Sequence, residues 1–425
     1  MKDLVNIRKD ELERILLVVV ELKKEKKTAS TEEITEELTE LVKACLGEVV
    51  ETIICRVETP TATYLITEGK VEEIAEKVKE HHIDTVVFGH DLKGSQQRNL
   101  EERIVVKTID RTQLILDIFA RRAKSNDGKI QVELAQLQYS LPRLTGHGKE
   151  MSRLGGGIGT LGPGETKLEV DRRRISQRID TLRKSLKDIE HSRTLNRKRR
   201  KENGIPVVSL VGYTNSGKTT LLNKLTGDNQ QVEDALFTTL DPISRICMLS
   251  NRQKIIVSDT VGFMRDLPHH LIDAFKSTLE EAHEADLLLH VIDISNPNFR
   301  QLYEEVNKVL KDLNAFEKKT ILVLNKIDRI NDPQWLASIK DNFKNSVCIS
   351  AKAGMNLEEL YSMIAAVLST MIVEINVDIP INRMDLINLA HKEGEVLSIK
   401  YYNDRINIRV SLPTKVADQF YKIGL

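Results

Sequence analysis

Aromatic residues make up only 4% of this 425-residue chain. That argues against base stacking on aromatic platforms as its main way of holding nucleic acid, and leaves phosphate contacts open. Cysteine is equally sparse. Cys45, Cys55, Cys247 and Cys348 form no CxxC pair, and no Cys/His cluster has zinc-ligand spacing. They read as reduced, buried thiols of a cytoplasmic protein. Long hydrophobic runs are missing too. The strongest, Ile15 to Val20, is flanked by charge and falls far short of the about 20 residues that span a bilayer. No secretory h-region precedes a small-residue cleavage site. There is no excess of either charge, since Lys+Arg and Asp+Glu both number 63, so any charged surface must be local. No internal repeat is visible. The length suits about three domains, each able to bury its own core.

Residues 1–150 alternate between strand and helix patterns. "ILLVVV", "VVETIICRV", "DTVVFG" and "VVKTID" read as strands. "STEEITEELTELVKAC", "GKVEEIAEKVKEHH", "QQRNLEERI" and "RTQLILDIFARRA" read as helices, the first with a capping-box pattern at Ser30/Thr31 and Glu33. Such alternation implies a parallel sheet covered by helices.

Residues 151–204 differ. "RLGGGIGTLGPGE" carries Gly155, Gly156, Gly157, Gly159, Gly162 and Gly164, too many for regular structure. A charged helical stretch follows, an extended hairpin or one long helix. From 151 to 205 there are 15 lysines and arginines against 7 acids. The arginines, among them Arg172, Arg173 and Arg174, are too dense for one packed face. On charge alone the stretch reads equally as a solvated helical linker or a polyanion-binding surface.

From 205 to 370 strands and helices alternate again, and four motifs fall in order. "GYTNSGKT" (Gly212, Tyr213, Thr214, Asn215, Ser216, Gly217, Lys218, Thr219) follows the apolar strand "VVSLV" and opens a helix. In that context it is a phosphate-binding loop: backbone N–H groups and a helix N-terminus cradle phosphates, Lys218 reaches the β- and γ-phosphates, and the Thr219 hydroxyl is a Mg²⁺ ligand. "DTVGF" (Asp259, Thr260, Val261, Gly262, Phe263) ends another strand. Asp259 can hold Mg²⁺ through water, and Gly262 can bring its N–H to a γ-phosphate. "NKID" (Asn325, Lys326, Ile327, Asp328) places a carboxylate that accepts from guanine N1–H and N2–H₂, donors adenine lacks. "SAK" (Ser350, Ala351, Lys352) offers a backbone N–H to guanine O6. "LFTTLDP" supplies Phe237, Thr238, Thr239, Leu240 and Asp241, and either threonine could complete the Mg²⁺ shell. The ligand read from these motifs is GTP or GDP with Mg²⁺. Where many such switches carry a water-orienting glutamine, this chain has Phe263. Gln230 and Gln231 are candidate substitutes.

These motifs resemble the HflX family of translation-associated GTPases. The likeness rests on "GGGIGTLGPGETKLEVDRRRI", "VGYTNSGKTTLLNKLT", "LFTTLDP", "DTVGFMRDLPHHLIDAFKSTLEE" and "LLHVID", with "IDRTQLILDIFARRA" and "GKIQVELAQL" nearer the start. By the position of "LDP" the resemblance picks Thr239 as the switch threonine. It also implies binding to the large (50S) ribosomal subunit and its rRNA, with the six glycines and Arg172–Arg174 as RNA contacts. The action implied is splitting or rescue of stalled ribosomes, or ribosome biogenesis. Leu161 stands where the family usually has arginine, and Thr238 where alanine is more usual.

The expected fold is therefore α/β in four parts. An N-terminal parallel α/β domain (1–150) leads to the Gly-rich loop and a basic helical hairpin (151–204). A P-loop, Ras-like G domain (205–370) and a small C-terminal α/β domain (371–425) follow. The expected protein is a monomeric, cytoplasmic GTPase without a membrane span. Lys218, Thr239 and Gly262 are its expected catalytic residues, and Thr219, Thr239 and Asp259 its Mg²⁺ set. An assembly or tRNA-modification GTPase would need a further RNA or modification module, which is not evident. A scaffold with a vestigial site would not need Lys218, Thr219, Asp259 and Asp328 together.

Overall fold

The computed structural model describes residues 12–23, 30–144, 167–202, 204–227, 237, 243–249, 253–265, 281–369 and 372–421. Contacts divide the chain into two units, residues 1–186 and 187–425, with Phe237 among a few residues that group with the first.

The first unit runs β1 (Glu13–Leu22), α1 (Thr31–Ala44), β2 (Gly47–Val57), α2 (Glu68–Glu80), β3 (Thr85–Phe88), α3 (Gly94–Ile104), β4 (Lys107–Asp110), α4 (Arg111–Arg122), α5 (Asn126–Ser140) and the part of α6 (Lys167–Glu202) up to Leu186; the rest of α6 belongs to the second unit. Its four strands are parallel, in the order β2-β1-β3-β4. β1 is interior, which is why its run from Ile15 to Val19 is apolar and buried throughout. The helix starts follow local chemistry. The Ser30 hydroxyl accepts the Glu33 N–H at 3.2 Å to open α1, and the Asp110 carboxylate accepts the Gln113 N–H at 2.8 Å to open α4.

Of the two forms expected for the basic stretch within 151–204, an extended hairpin or one long helix, the structure has the long helix. Residues 167–202 are one helix of 36 residues, and its partner is α5. Ile175, Ile179, Leu182 and Leu186 recur every three or four residues. That narrow apolar strip meets Ile130, Leu134 and Leu137 of α5. The Arg178 guanidinium adds two parallel bonds to Glu133, at 2.7 and 2.8 Å. The Gly-rich segment between the two helices lies outside the described residues.

The second unit holds β5 (Val207–Gly212), α7 (Lys218–Thr226), β6 (Ile243–Met248), β7 (Lys254–Asp259), β8 (Leu287–Asp293), α8 (Phe299–Asp312), β9 (Thr320–Asn325), α9 (Pro333–Asn342), β10 (Ser346–Cys348) and α10 (Leu357–Leu368). The sheet order is β10-β9-β8-β5-β7-β6, parallel except for β6. The chain leaves β5 toward one edge of the sheet and returns at β8 toward the other. The crevice beyond β5 is thus a topological switch point, where open α/β sheets take ligands. The C-terminal part forms β11 (Ile372–Pro380), α11 (Met384–Glu393), β12 (Glu395–Tyr401), β13 (Arg405–Pro413) and α12 (Thr414–Tyr421). Its sheet is antiparallel, β11-β13-β12, with its own core around Ile406, Ile408 and Phe420. The closing helix α12 was not expected from the sequence. All four cysteines are free. Among the described residues no helix is long and apolar enough to cross a membrane.

Candidate nucleotide-binding site

The site is built on the C-terminal ends of β5, β7, β9 and β10. At Gly212 the chain turns out of β5 into the phosphate loop, and Gly217 closes it with φ +96°. A Cβ on Gly217 would lie 2.3 Å from the Asn325 side-chain nitrogen, so glycine is required there on both counts. The Thr214 and Ser216 hydroxyls are buried in this loop with no hydrogen-bond partner among the described residues. Unpaired buried donors cost about 1–3 kcal/mol each, and a bound phosphate would supply the acceptors they lack.

Lys218 opens α7 and is buried. Its ammonium donates to the Gly212 and Tyr213 carbonyls at 3.1 and 2.8 Å. Burial draws its pKa down to about 8, partly offset by the Asp259 carboxylate. The Thr219 hydroxyl donates to Asp259 Oδ2 at 2.8 Å. Hydroxyl and carboxylate thus meet beside the ammonium, an all-oxygen donor pair of the kind hard Mg²⁺ favours. The Thr260 hydroxyl is committed to the Leu210 carbonyl at 2.7 Å. Its side chain ties the end of β7 to β5.

The "DTVGF" segment lies directly against the phosphate loop. The Thr214 N–H donates to the Phe263 carbonyl at 2.8 Å, and the Phe263 N–H donates to the Gly212 carbonyl at 3.1 Å. Gly262 permits this approach, since a Cβ there would meet Thr214 Cα at 2.9 Å and Lys218 Nζ at 3.0 Å. The Phe263 ring is 3% exposed. It is an anchor for the segment and has no atom to orient water.

At the base end, Asn325 joins the two halves of the site. Its amide nitrogen donates to the Ser216 carbonyl at 2.8 Å, and its amide oxygen accepts the Ala351 N–H at 2.9 Å. The Ser350 hydroxyl donates to Asp328 Oδ1 at 2.6 Å and accepts the Ala353 N–H at 3.0 Å. Ser350 thereby orients the Asp328 carboxylate. Lys326, at φ +66°, pairs with Asp293 at 2.7 Å. Ile327 is part of the core below.

Thr238, Thr239, Leu240 and Asp241 lie outside the described residues, as do Gln230, Gln231 and the glycines from 155 to 164. Phe237, expected beside the nucleotide, groups instead with the N-terminal unit. A left-handed turn, φ +54°, directs its ring edge-to-face against Phe119 at 4.8 Å. Arg172, Arg173 and Arg174 are exposed on α6. Three participants escape a motif reading: Asp293 as the Lys326 partner, the Tyr213 hydroxyl, and buried Arg265, whose N–H donates to that hydroxyl at 3.0 Å. None is fixed by the motif pattern itself, although Tyr213 occupies a variable position within it.

A phosphate-loop motif between β5 and α7, the Thr219–Asp259 hydroxyl–carboxylate pair and the Asn325–Asp328 segment at the end of β9, set at the switch point of a mostly parallel sheet, are the arrangement of a P-loop GTPase. Family comparisons agree along the chain. Residues 32–120 match "GTP-binding GTPase N-terminal", 122–200 "GTP-binding GTPase Middle Region", and 207–326 "50S ribosome-binding GTPase". The chain is 44% identical over 388 residues to the GTPase HflX of Caldanaerobacter subterraneus subsp. tengcongensis, covering 91% of this chain and 89% of that one. It is 41% identical over 416 residues to that of Lacrimispora saccharolytica, covering 98% and 97%. It is 42% identical over 335 residues to that of Escherichia coli (strain K12), covering 79% of each. A crystal structure of a GTP-binding protein from Sulfolobus solfataricus in complex with GDP matches 84% of this chain and 99% of its own, at 27% identity and TM-score 0.47. The chain belongs to the HflX family of GTPases, and it is an enzyme that hydrolyses GTP.

Proposed function

We propose that this GTPase acts with Mg²⁺ on the large (50S) ribosomal subunit, as a cytoplasmic monomer, and that the subunit stimulates its hydrolysis. Splitting or rescue of stalled ribosomes, or a step in their biogenesis, is the setting this reading implies. The observation that carries it is the buried Phe263. At the position where a polar side chain would orient the attacking water, this chain has an apolar anchor. A partner that completes the site is the simplest remedy, and the description "50S ribosome-binding GTPase" for residues 207–326 supports a ribosomal one.

Within the site, Lys218 and the Gly262 N–H would hold the γ-phosphate, with Thr239 joining them. Thr219, Asp259 through water, and Thr239 would hold Mg²⁺. When bound, the metal would neutralise charge that builds on the β- and γ-phosphate oxygens. Asp328, oriented by Ser350, selects guanine. The exposed Arg172, Arg173 and Arg174 and the Gly155–Gly164 loop would contact rRNA phosphates.

The test is single-turnover GTP hydrolysis by the chain alone, with small subunits and with large subunits. Slow turnover alone and a large-subunit stimulation of about 10³-fold or more is expected, since supplied catalytic groups are worth that much in other GTPases. Fast turnover by the chain alone, or equal responses to both subunits, would refute the reading.

A further inference from the structure

We propose that Tyr213 is a positioning residue for hydrolysis, its hydroxyl fixing the Gly262–Arg265 segment against the phosphate loop. Tyr213 occupies one of the four variable positions of the G-x-x-x-x-G-K-[ST] pattern, where a side chain has no assigned work. Here it does two things. Its backbone carbonyl accepts the Lys218 ammonium at 2.8 Å, and its hydroxyl accepts the Arg265 N–H at 3.0 Å.

The consequence follows from what surrounds Gly262. The residue after it is fastened to the loop by a single bridge, Thr214 N–H to Phe263 O at 2.8 Å and Phe263 N–H to Gly212 O at 3.1 Å. An isolated bridge of two bonds is a weak hold on a chain, because each bond contributes little net of water. The Arg265 bond lies two residues further on and closes the segment from the other end. Its acceptor is the side chain of the residue at the centre of the bridge. Phosphate loop and switch segment are thus joined at Gly212, Tyr213 and Thr214, the first two of which also accept from Lys218.

Gly262 immediately precedes these attachments and is peptide-bonded to the anchored Phe263. A Cβ there would come within 3.0 Å of Lys218 Nζ and 2.9 Å of Thr214 Cα. An N–H that must meet a γ-phosphate is most effective when its direction is set beforehand, since no reorganisation is then needed in the transition state. The Tyr213 hydroxyl serves this direction without touching the reacting atoms. In a chain whose Phe263 cannot act on water, the direction of the Gly262 N–H carries more of the catalysis. The assignment holds whether or not a ribosomal subunit stimulates the reaction.

The test is Tyr213→Phe in the full chain, which keeps the ring and removes the hydroxyl. Single-turnover hydrolysis should fall about threefold to tenfold, the range for one net hydrogen bond, while affinity for fluorescent GDP stays within about twofold because the loop backbone is unaltered. Hydrogen exchange of the peptide containing Phe263–Arg265 should quicken. Hydrolysis at the wild-type rate overturns the assignment. So does a fall in hydrolysis matched by an equal loss of GDP affinity, which would mean general damage to the loop. Tyr213→Ala separates ring from hydroxyl: impairment by alanine with none by phenylalanine assigns the role to packing and rejects this one.

Discussion

Gly217→Ala should disable nucleotide binding more severely than one added methyl suggests. The backbone at 217 has φ +96°, a region that costs an L-residue about 1–2 kcal/mol. The new Cβ would stand 2.3 Å from Asn325 Nδ2, so the amide must move. Moving it breaks the bonds to the Ser216 carbonyl and the Ala351 N–H, at 2.8 and 2.9 Å. Buried polar groups left without partners cost about 1–3 kcal/mol each. The total is about 3–8 kcal/mol, or about 10²–10⁶ in affinity at 1.4 kcal/mol per tenfold. The loss should appear in GTP and GDP binding alike, because Asn325 connects the phosphate loop to the base loop. The assay is titration with fluorescent GDP, with thermal denaturation in the absence of nucleotide alongside. Gly227→Ala is the control. Its φ is +68° but its Cβ would meet nothing within 4 Å, so only the backbone cost of about 1 kcal/mol should appear, in stability. Asn325→Ala in the Gly217→Ala background should add little, because the clash it removes is the one that did the damage. Affinity for Gly217→Ala within about threefold of wild type, or full additivity in the cycle, would refute the reasoning.

Asp328→Asn should shift preference from GTP toward xanthosine triphosphate, because an amide donor suits the xanthine 2-carbonyl; unchanged guanine preference in competition binding would remove Asp328 as the base reader. Ser350→Ala should weaken guanine discrimination in the same assay by about tenfold or less, one hydrogen bond's worth, and no change would mean the carboxylate needs no orienting. Burial, and secondarily Lys218, hold His290 down to about 3 from an ordinary 6.5. The unfolded chain therefore binds a proton that the folded chain refuses, and stability is lost as pH falls from 6.5 toward 3. At its steepest the loss is about 1.4 kcal/mol per pH unit. Urea denaturation across that window should show a smaller slope for His290→Phe, and parallel curves would count against it. Replacing Arg172, Arg173 and Arg174 with glutamine should weaken large-subunit binding and flatten its salt dependence by about one unit per lost phosphate contact; an unaltered slope would return α6 to a solvated linker.

The sequence alone determined the chemistry of the site, because that chemistry depends on residue types at fixed spacing next to a strand. A phosphate loop needs glycines, a lysine and a hydroxyl in consecutive positions, and "GYTNSGKT" after "VVSLV" leaves little else it can be. Strand runs such as "ILLVVV" and "LLLHVID" were legible for the same local reason, being apolar on both faces. What the tertiary structure decided were relations between residues far apart in the chain. Asn325 bonds across 109 positions to Ser216, and Tyr213 receives a bond from Arg265 across 52. Neither pairing follows from local pattern, since each depends on which strands lie side by side. The basic stretch shows the same division. Its charge was readable, but the choice of α5 as its partner depended on a four-residue apolar strip too thin to stand out among so many arginines. Phe263 shows it most plainly. The sequence showed that a water-orienting side chain was missing, and only the fold gave the reason: its ring is needed in the core, and its backbone fastens the switch segment to the phosphate loop.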